Sequence, residues 1–256
     1  MRSLSQSVVL ITGGLGGIGR ACVAAFLDAG ARVVATDTAN AAKEYPPDFK
    51  SDRCRFVPAD IREENAVERL VADTVAAFGS LDVLINNAAI FRPMAPMHKT
   101  TAAEFDALIA VNLRGLFFCC KYAYPHLQKA KGSIINVSSM AGVQGEKSHA
   151  VYCATKGAIN SLTKAMAVDY GPDGVRCNAI CPSSVLTPNT DKLVNEAPNP
   201  AKVIEKRKQI TLLGYTAKPE EIAAVAVFLA SPAASFMTGA ILPVSGGSEC
   251  GYGIKP

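Results

Sequence analysis

Along the chain, short and nearly unbroken apolar runs alternate with longer stretches in which apolar residues recur every three or four positions. The runs SVVLIT (7–12), ARVVATD (31–37), CRFVPAD (54–60), LDVLIN (81–86), GSIINVS (132–138), VRCNAIC (175–181) and AILPV (240–244) are rich in β-branched residues and read as strands. Apolar side chains on both faces are what a strand carries when helices cover both sides of a parallel sheet. Segments 17–29, 63–78, 101–129, 150–170 and 219–230 have helical spacing. TAAE at 101–104 is a capping box opening one of them. Pro219, followed by Glu220 and Glu221, opens another, with acids where the helix dipole favours them.

This alternation predicts an α/β fold, a doubly wound parallel sheet of about seven strands with helices on both faces and right-handed crossovers. No linker, repeat or low-complexity tract divides the 256 residues, so a single domain over 1–256 is expected. The least regular part, 183–216, reads as an excursion with short helices that covers the substrate, because such folds bind ligands beyond the carboxyl ends of their strands.

Composition narrows the function classes. Apolar residues make up 49% and charged residues 19%, as in an ordinary globular protein, and the net charge is +4. The basic cluster EKRKQ (205–209) contains its own acid, and no basic stripe with interleaved aromatics appears, which argues against nucleic acid as a partner. No apolar stretch is long enough for a membrane helix. The N-terminal apolar run lacks the length and cleavage pattern of a secretory signal. Eight cysteines, mostly inside apolar runs and without metal-ligand spacing, point to reduced buried thiols, no metal and a cytoplasmic location.

TGGLGGIG (12–19) directly follows the first strand and opens the first helix. Strand, glycine turn and helix in that order suit a dinucleotide, because the bare backbone approaches the pyrophosphate and the helix N-terminus faces it. That context makes the fold Rossmann-type. Asp37 ends the second strand, where a carboxylate accepts hydrogen bonds from the adenosine ribose hydroxyls and repels a 2′-phosphate. Gly16 and Thr38 beside it are not basic, so NAD is favoured over NADP.

The spacing Thr12, Gly13, Gly17, Gly19 resembles the short-chain dehydrogenase/reductase family, and the likeness runs almost the whole length of the chain. NNAA (86–89) is similar to that family's NNAG, VNLRG carries Asn112, Ser139 precedes YCATK with Tyr152 and Lys156, and CPSSVLTP is similar to PGxxxT. The resemblance implies a catalytic set of Asn112, Ser139, Tyr152 and Lys156. It implies cofactor contacts from Thr12, Gly13, Gly17, Ile18, Gly19, Asp37, Asp60, Ile61, Asn87, Ala88, Tyr152, Lys156, Pro182, Val185 and Thr187, with Asp60 beside the adenine and Thr187 on the nicotinamide carboxamide. It also implies that Asn112 holds a water relaying protons from Lys156, and that the chain forms a homotetramer through the helices after the fourth and fifth strands. Three residues depart from the pattern: Ala89 and Ser183 stand where glycine is usual, and Ser245 where aspartate is usual.

One helical turn separates Tyr152 from Lys156, so they share a face. A nearby ammonium is expected to lower the phenol's pKa and let Tyr152 take the proton of a substrate hydroxyl as hydride leaves for the nicotinamide. The stretches expected to line the pocket offer the polar residues Arg92, Gln144, Lys147, His149 and Asn189, of which Arg92, Gln144, His149 and Asn189 are candidate substrate contacts. Their polarity favours a hydroxylated or anionic small molecule, such as a sugar, polyol or hydroxy acid. The expected activity is NAD-dependent hydride transfer at a secondary alcohol or sugar or polyol hydroxyl. The alternatives are an NADPH-dependent reductase of 3-oxoacyl thioesters and a catalytically silent dinucleotide-binding sensor or scaffold.

Overall fold

The computed structural model of the protein describes residues 4–40, 51–91 and 94–250. Seven strands form one sheet in the order β3-β2-β1-β4-β5-β6-β7. They are β1 (Val8–Thr12), β2 (Arg32–Thr36), β3 (Cys54–Phe56), β4 (Val83–Asn86), β5 (Ser133–Val137), β6 (Arg176–Pro182) and β7 (Ile241–Val244). Every pairing is parallel. The order reverses direction between β1 and β4, and a crevice opens at such a switch point beyond the strand ends.

Alternation along each strand sorts side chains to two cores. Val9, Ile11, Val33, Ile85 and Ile135 face α1 (Gly17–Asp28) and α8 (Pro219–Ala230), where Phe26, Ile222 and Leu229 are fully buried. Leu10, Val34, Leu84 and Ile134 face α2 (Glu64–Phe78), α4 (Leu116–Ala130) and α5 (Ala150–Tyr170) through Leu70, Leu127 and Ile159. Cys22, Cys119, Cys120 and Cys177 pack within these layers, and burial raises their thiol pKa values, to about 12 for Cys22, Cys120 and Cys177. All eight cysteines are free thiols.

Two expected elements differ in detail. The third strand stops at Phe56 rather than reaching Asp60. Val57 and Ala59 still donate to Ala35 and Asp37 of the neighbouring chain segment, but Pro58 between them has no N–H. The helix expected over 101–129 is divided into α3 (Ala102–Ile109), a π-helical turn at Ala110–Gly115, and α4. A wider turn of this kind often marks a functional position, and Asn112 lies in it. The capping box at Thr101 and Glu104 is present. Within the 183–216 excursion lie α6 (Pro188–Asn195) and α7 (Pro200–Ile210); α7 buries none of its residues.

Candidate active site

A cleft of about 1430 Å³ lies over the carboxyl ends of the strands, roofed by α6 and α7. Its floor begins at the glycine turn. Gly13 sits at φ +62°, and a Cβ there would lie 2.8 Å from Ala88 Cα. A Cβ on Gly19 would stand 2.0 Å from the Gly13 carbonyl oxygen. Only glycine permits this compaction, which brings the N-terminus of α1 against the floor. Thr12 braces the turn from behind: its hydroxyl accepts from the N–H groups of Asn87 and Ala88 at 3.0 and 3.1 Å. Asn87 in turn donates to the carbonyls of Thr12 and Gly13, both at 3.0 Å. This open cradle of backbone, ending at a helix N-terminus, fits a dinucleotide pyrophosphate.

Asp37 lines the cleft at the end of β2, where it accepts from Leu15 N at 3.3 Å and Thr38 N at 2.9 Å. Asp60 lies on the adjacent segment with Ile61. Arg62 grips it bidentately, the shortest contact being 2.6 Å, and holds the carboxyl below its usual range. At the far side, Pro182, Val185 and Thr187 line the wall. The Thr187 hydroxyl caps α6 by accepting from Thr190 N.

Ser139, Tyr152 and Lys156 meet beyond the end of β5. The short turn Met140–Gly142 docks against α5, where a Cβ on Gly142 would lie 2.6 Å from the Lys156 carbonyl carbon. Asn160 donates to the Gly142 carbonyl at 2.9 Å, and Ser138 donates to the Lys156 carbonyl at 3.0 Å. These contacts bring the Ser139 hydroxyl beside the Tyr152 phenol, close enough to favour its charged form. Lys156 is buried and donates to the Val137 carbonyl at 2.7 Å, with Nζ 5.7 Å from the Tyr152 ring centre.

The electrostatics differ from the expected direction. Burial pushes the Tyr152 phenol up to about 12; the Ser139 hydrogen bond opposes this, and the Glu146 carboxylate adds to it. Burial also lowers Lys156 to about 8. Desolvation is the largest cause of both shifts, and Nζ donates to a backbone carbonyl rather than to the phenolic oxygen.

Asn112 is buried and does not line the cleft. Its Oδ1 accepts from Ile90 N at 2.8 Å, and its Nδ2 donates to Ile90 O at 2.8 Å and Thr155 Oγ1 at 3.2 Å. It therefore pins the segment leaving β4 to α5. Thr12 and Gly19 also shape the floor from behind. Gly13, Gly17, Ile18, Asp37, Asp60, Ile61, Asn87, Ala88, Gln144 and His149 line the cleft. Asn189 occupies the first turn of α6; its side chain, like Arg92, lies outside the described residues. Glu146 and Lys147 line the cleft, as do Lys202, Lys206 and Arg207 of α7. Of these five, only Lys147 was among the candidate polar residues of the pocket. The other four carry no motif of their own, and only the path of the chain over the cleft reveals them. Among the described residues no group of His, Cys, Asp and Glu is placed to hold a metal ion, and no helix is long and apolar enough to cross a membrane.

A family model described as enoyl-(acyl carrier protein) reductase matches residues 13–249. The chain belongs to the short-chain dehydrogenase/reductase family. This short-chain dehydrogenase/reductase is 42% identical to L-fucose dehydrogenase of Mus musculus, over 98% of this chain and 91% of that protein. It is 39% identical to meso-2,3-butanediol dehydrogenase of Serratia marcescens, over 97% and 96% of the two chains. The ligand-free aldohexose dehydrogenase of Thermoplasma acidophilum has the same fold, with a TM-score of 0.89 and 31% identity over 99% of this chain and 98% of that one. The chain is thus an oxidoreductase acting on CH–OH groups with a nicotinamide dinucleotide. Two of its three departures from the family pattern, Ser183 and Ser245, are held by hydrogen bonds. Ser183 has no positive φ, and its hydroxyl donates to the Ser245 carbonyl at 2.9 Å. The Ser245 hydroxyl accepts from Gly247 N at 3.2 Å, closing the turn that follows β7.

Proposed function

We propose that this enzyme oxidises a secondary hydroxyl of a sugar or polyol with NAD. The observation that carries the reading is the convergence of Ser139, Tyr152 and Lys156 at one end of the glycine-floored cleft. Bound there, the dinucleotide supplies the hydride acceptor. Ser139 donates to the substrate oxygen and orients it toward the phenol. Tyr152 takes the hydroxyl proton; an oxidised nicotinamide held beside it would supply a positive charge favouring the phenolate against burial. Lys156 contributes a second positive charge and a path for the proton, with Asn112 fixing α5 against the β4 exit.

Asp37 supports NAD, since its carboxylate stands where a 2′-phosphate would be repelled. Arg62, at the same end, is already committed to Asp60. The polar wall of Gln144, Glu146, Lys147 and His149 supports a hydroxylated substrate, as do the sugar and diol dehydrogenases among the relatives. The same reading includes one catalytic domain over 1–256, with 183–216 covering the substrate. A cytoplasmic location accords with eight free thiols. A homotetramer through α4 and α5 accords with Phe117 and Val168, which are 52% and 75% exposed on those helices.

The test is a panel of sugars, polyols, hydroxy acids, ketones and 3-oxoacyl thioesters, with NAD and NADP, or NADH and NADPH for the carbonyl substrates, compared by absorbance of the reduced cofactor. Turnover of sugars or polyols with NAD is expected. Preference for NADPH and 3-oxoacyl thioesters supports the reductase alternative. Tight NAD binding without turnover on any member supports a silent sensor.

A further inference from the structure

We propose that His149 recognises a second substrate hydroxyl, on the carbon next to the reacting one, and so selects vicinal diols over simple secondary alcohols. The inference rests on the alcohol-oxidising reading above. His149 is the N-cap residue of α5, one turn ahead of Tyr152; it is buried, yet it lines the cleft. Its Nδ1 lies 3.0 Å from the Lys147 carbonyl oxygen. A carbonyl oxygen only accepts, so Nδ1 carries a proton, and in the uncharged form of the ring Nε2 is the acceptor. Glu146 Oε1, 3.7 Å from Nδ1, favours the same tautomer. Among the described residues no protein group hydrogen-bonds Nε2.

The backbone around the ring is built to hold it. Ser148, immediately before it, has φ +62°, a conformation non-glycine residues seldom adopt. An isolated parallel bridge couples His149 to Ala95 across the cleft wall. Strained backbone persists where its surroundings over-determine it, and such positions cluster at ligand sites. What this segment orients is an imidazole whose ring centre is 6.0 Å from that of Tyr152, edge to face at 64°. The two rings stand side by side and both line the cleft, so one small polyhydroxylated molecule can reach both. One hydroxyl then faces Tyr152 and Ser139, and the other donates to His149 Nε2. A substrate without the second hydroxyl leaves a buried acceptor unpaired, which discriminates more sharply than a lost apolar contact.

The experiment measures steady-state oxidation by the full-length enzyme with NAD on two matched pairs: 2,3-butanediol against 2-butanol, and L-fucose against 2-deoxy-L-fucose. The wild-type enzyme is expected to favour the member with the second hydroxyl. His149→Leu raises KM for that member about tenfold. KM for the deoxy partner does not rise, since no acceptor is left unpaired, and the Kd for NADH, read by fluorescence, stays the same. In His149→Gln, whose amide oxygen reaches toward the place of Nε2, most of the diol KM returns. His149→Phe, which keeps the ring volume, behaves as His149→Leu and provides the comparison if one variant does not fold. Equal losses on both members of a pair, or no loss on either, overturn the proposal. Failure of the wild-type enzyme to turn over either vicinal member also overturns it, and the functional reading survives if other alcohols of the panel are oxidised. If none is, that reading falls as well.

Discussion

Lys156 Nζ donates to the carbonyl oxygen of Val137 at 2.7 Å, tying a buried cation on α5 to the last residue of β5. The bond holds the lysine 5.7 Å from the centre of the Tyr152 ring, inside the wall where burial governs the charge of both groups. A charged amine in a dry wall is costly, and burial lowers its pKa from 10.5 to about 8.

That shift makes stability depend on pH. Between about pH 8 and 10.5 the unfolded chain keeps the lysine proton while the folded protein has released it, so stability rises with pH through this window. The full cost, on the order of 3 kcal/mol, applies below about pH 8. Thermal or urea unfolding of the wild type and Lys156→Met should show the wild type gaining on the variant from pH 8 to 10.5. A constant difference across that range would contradict the shift. The variant is also expected to lose turnover.

Tyr152→Phe should lower kcat by about 10²–10⁴-fold, the usual worth of a positioned proton acceptor, while NADH binding stays near wild type. Because burial and the Glu146 carboxylate both raise the phenol's pKa, alcohol oxidation should increase with pH on the alkaline side. Removing that carboxylate with Glu146→Gln should move the rising limb to lower pH. A limb that stays in place, or moves upward, counts against Tyr152 as the titrating base.

Asp37→Asn retains an oxygen that can accept from the Leu15 and Thr38 amides but loses the charge. The ratio of kcat/KM for NAD over NADP is expected to fall at least tenfold, mainly through a lower KM for NADP. An unchanged ratio would locate cofactor choice elsewhere.

Gly19→Ala places a methyl group 2.0 Å from the Gly13 carbonyl, a backbone atom that cannot swing aside. The turn must open, at a cost of about 1–3 kcal/mol. A lower Tm, and dinucleotide affinity weakened by more than the loss of fold accounts for, are the expected readouts in calorimetry and fluorescence titration.

Local patterns made much of this legible. The glycine turn, the Tyr152–Lys156 pair and the capping box at Thr101 each lie within a few residues of sequence, and short-range geometry follows from spacing. The π-helical turn around Asn112 was not readable, because no propensity marks it. Tertiary partners occupy the asparagine there: Ile90 on one side and Thr155 on the other. The Tyr152 phenol was expected to be acidified by its neighbour and is raised instead, because the degree of burial is a property of the packed cleft. Ser183 and Ser245, two unrelated departures from the family pattern in sequence, become hydrogen-bonded neighbours only once β6 and β7 are side by side.

By itself the sequence determined the sheet, the dinucleotide turn and the chemical type of the reacting side chains, since hydrophobic periodicity and close-range steric needs are written residue by residue. Tertiary structure alone decided which polar groups are dry, which are already bonded, and which face the cleft with a lone pair to spare. Those properties depend on segments brought together from distant parts of the chain: Val137 against Lys156, and Ala95 beside His149.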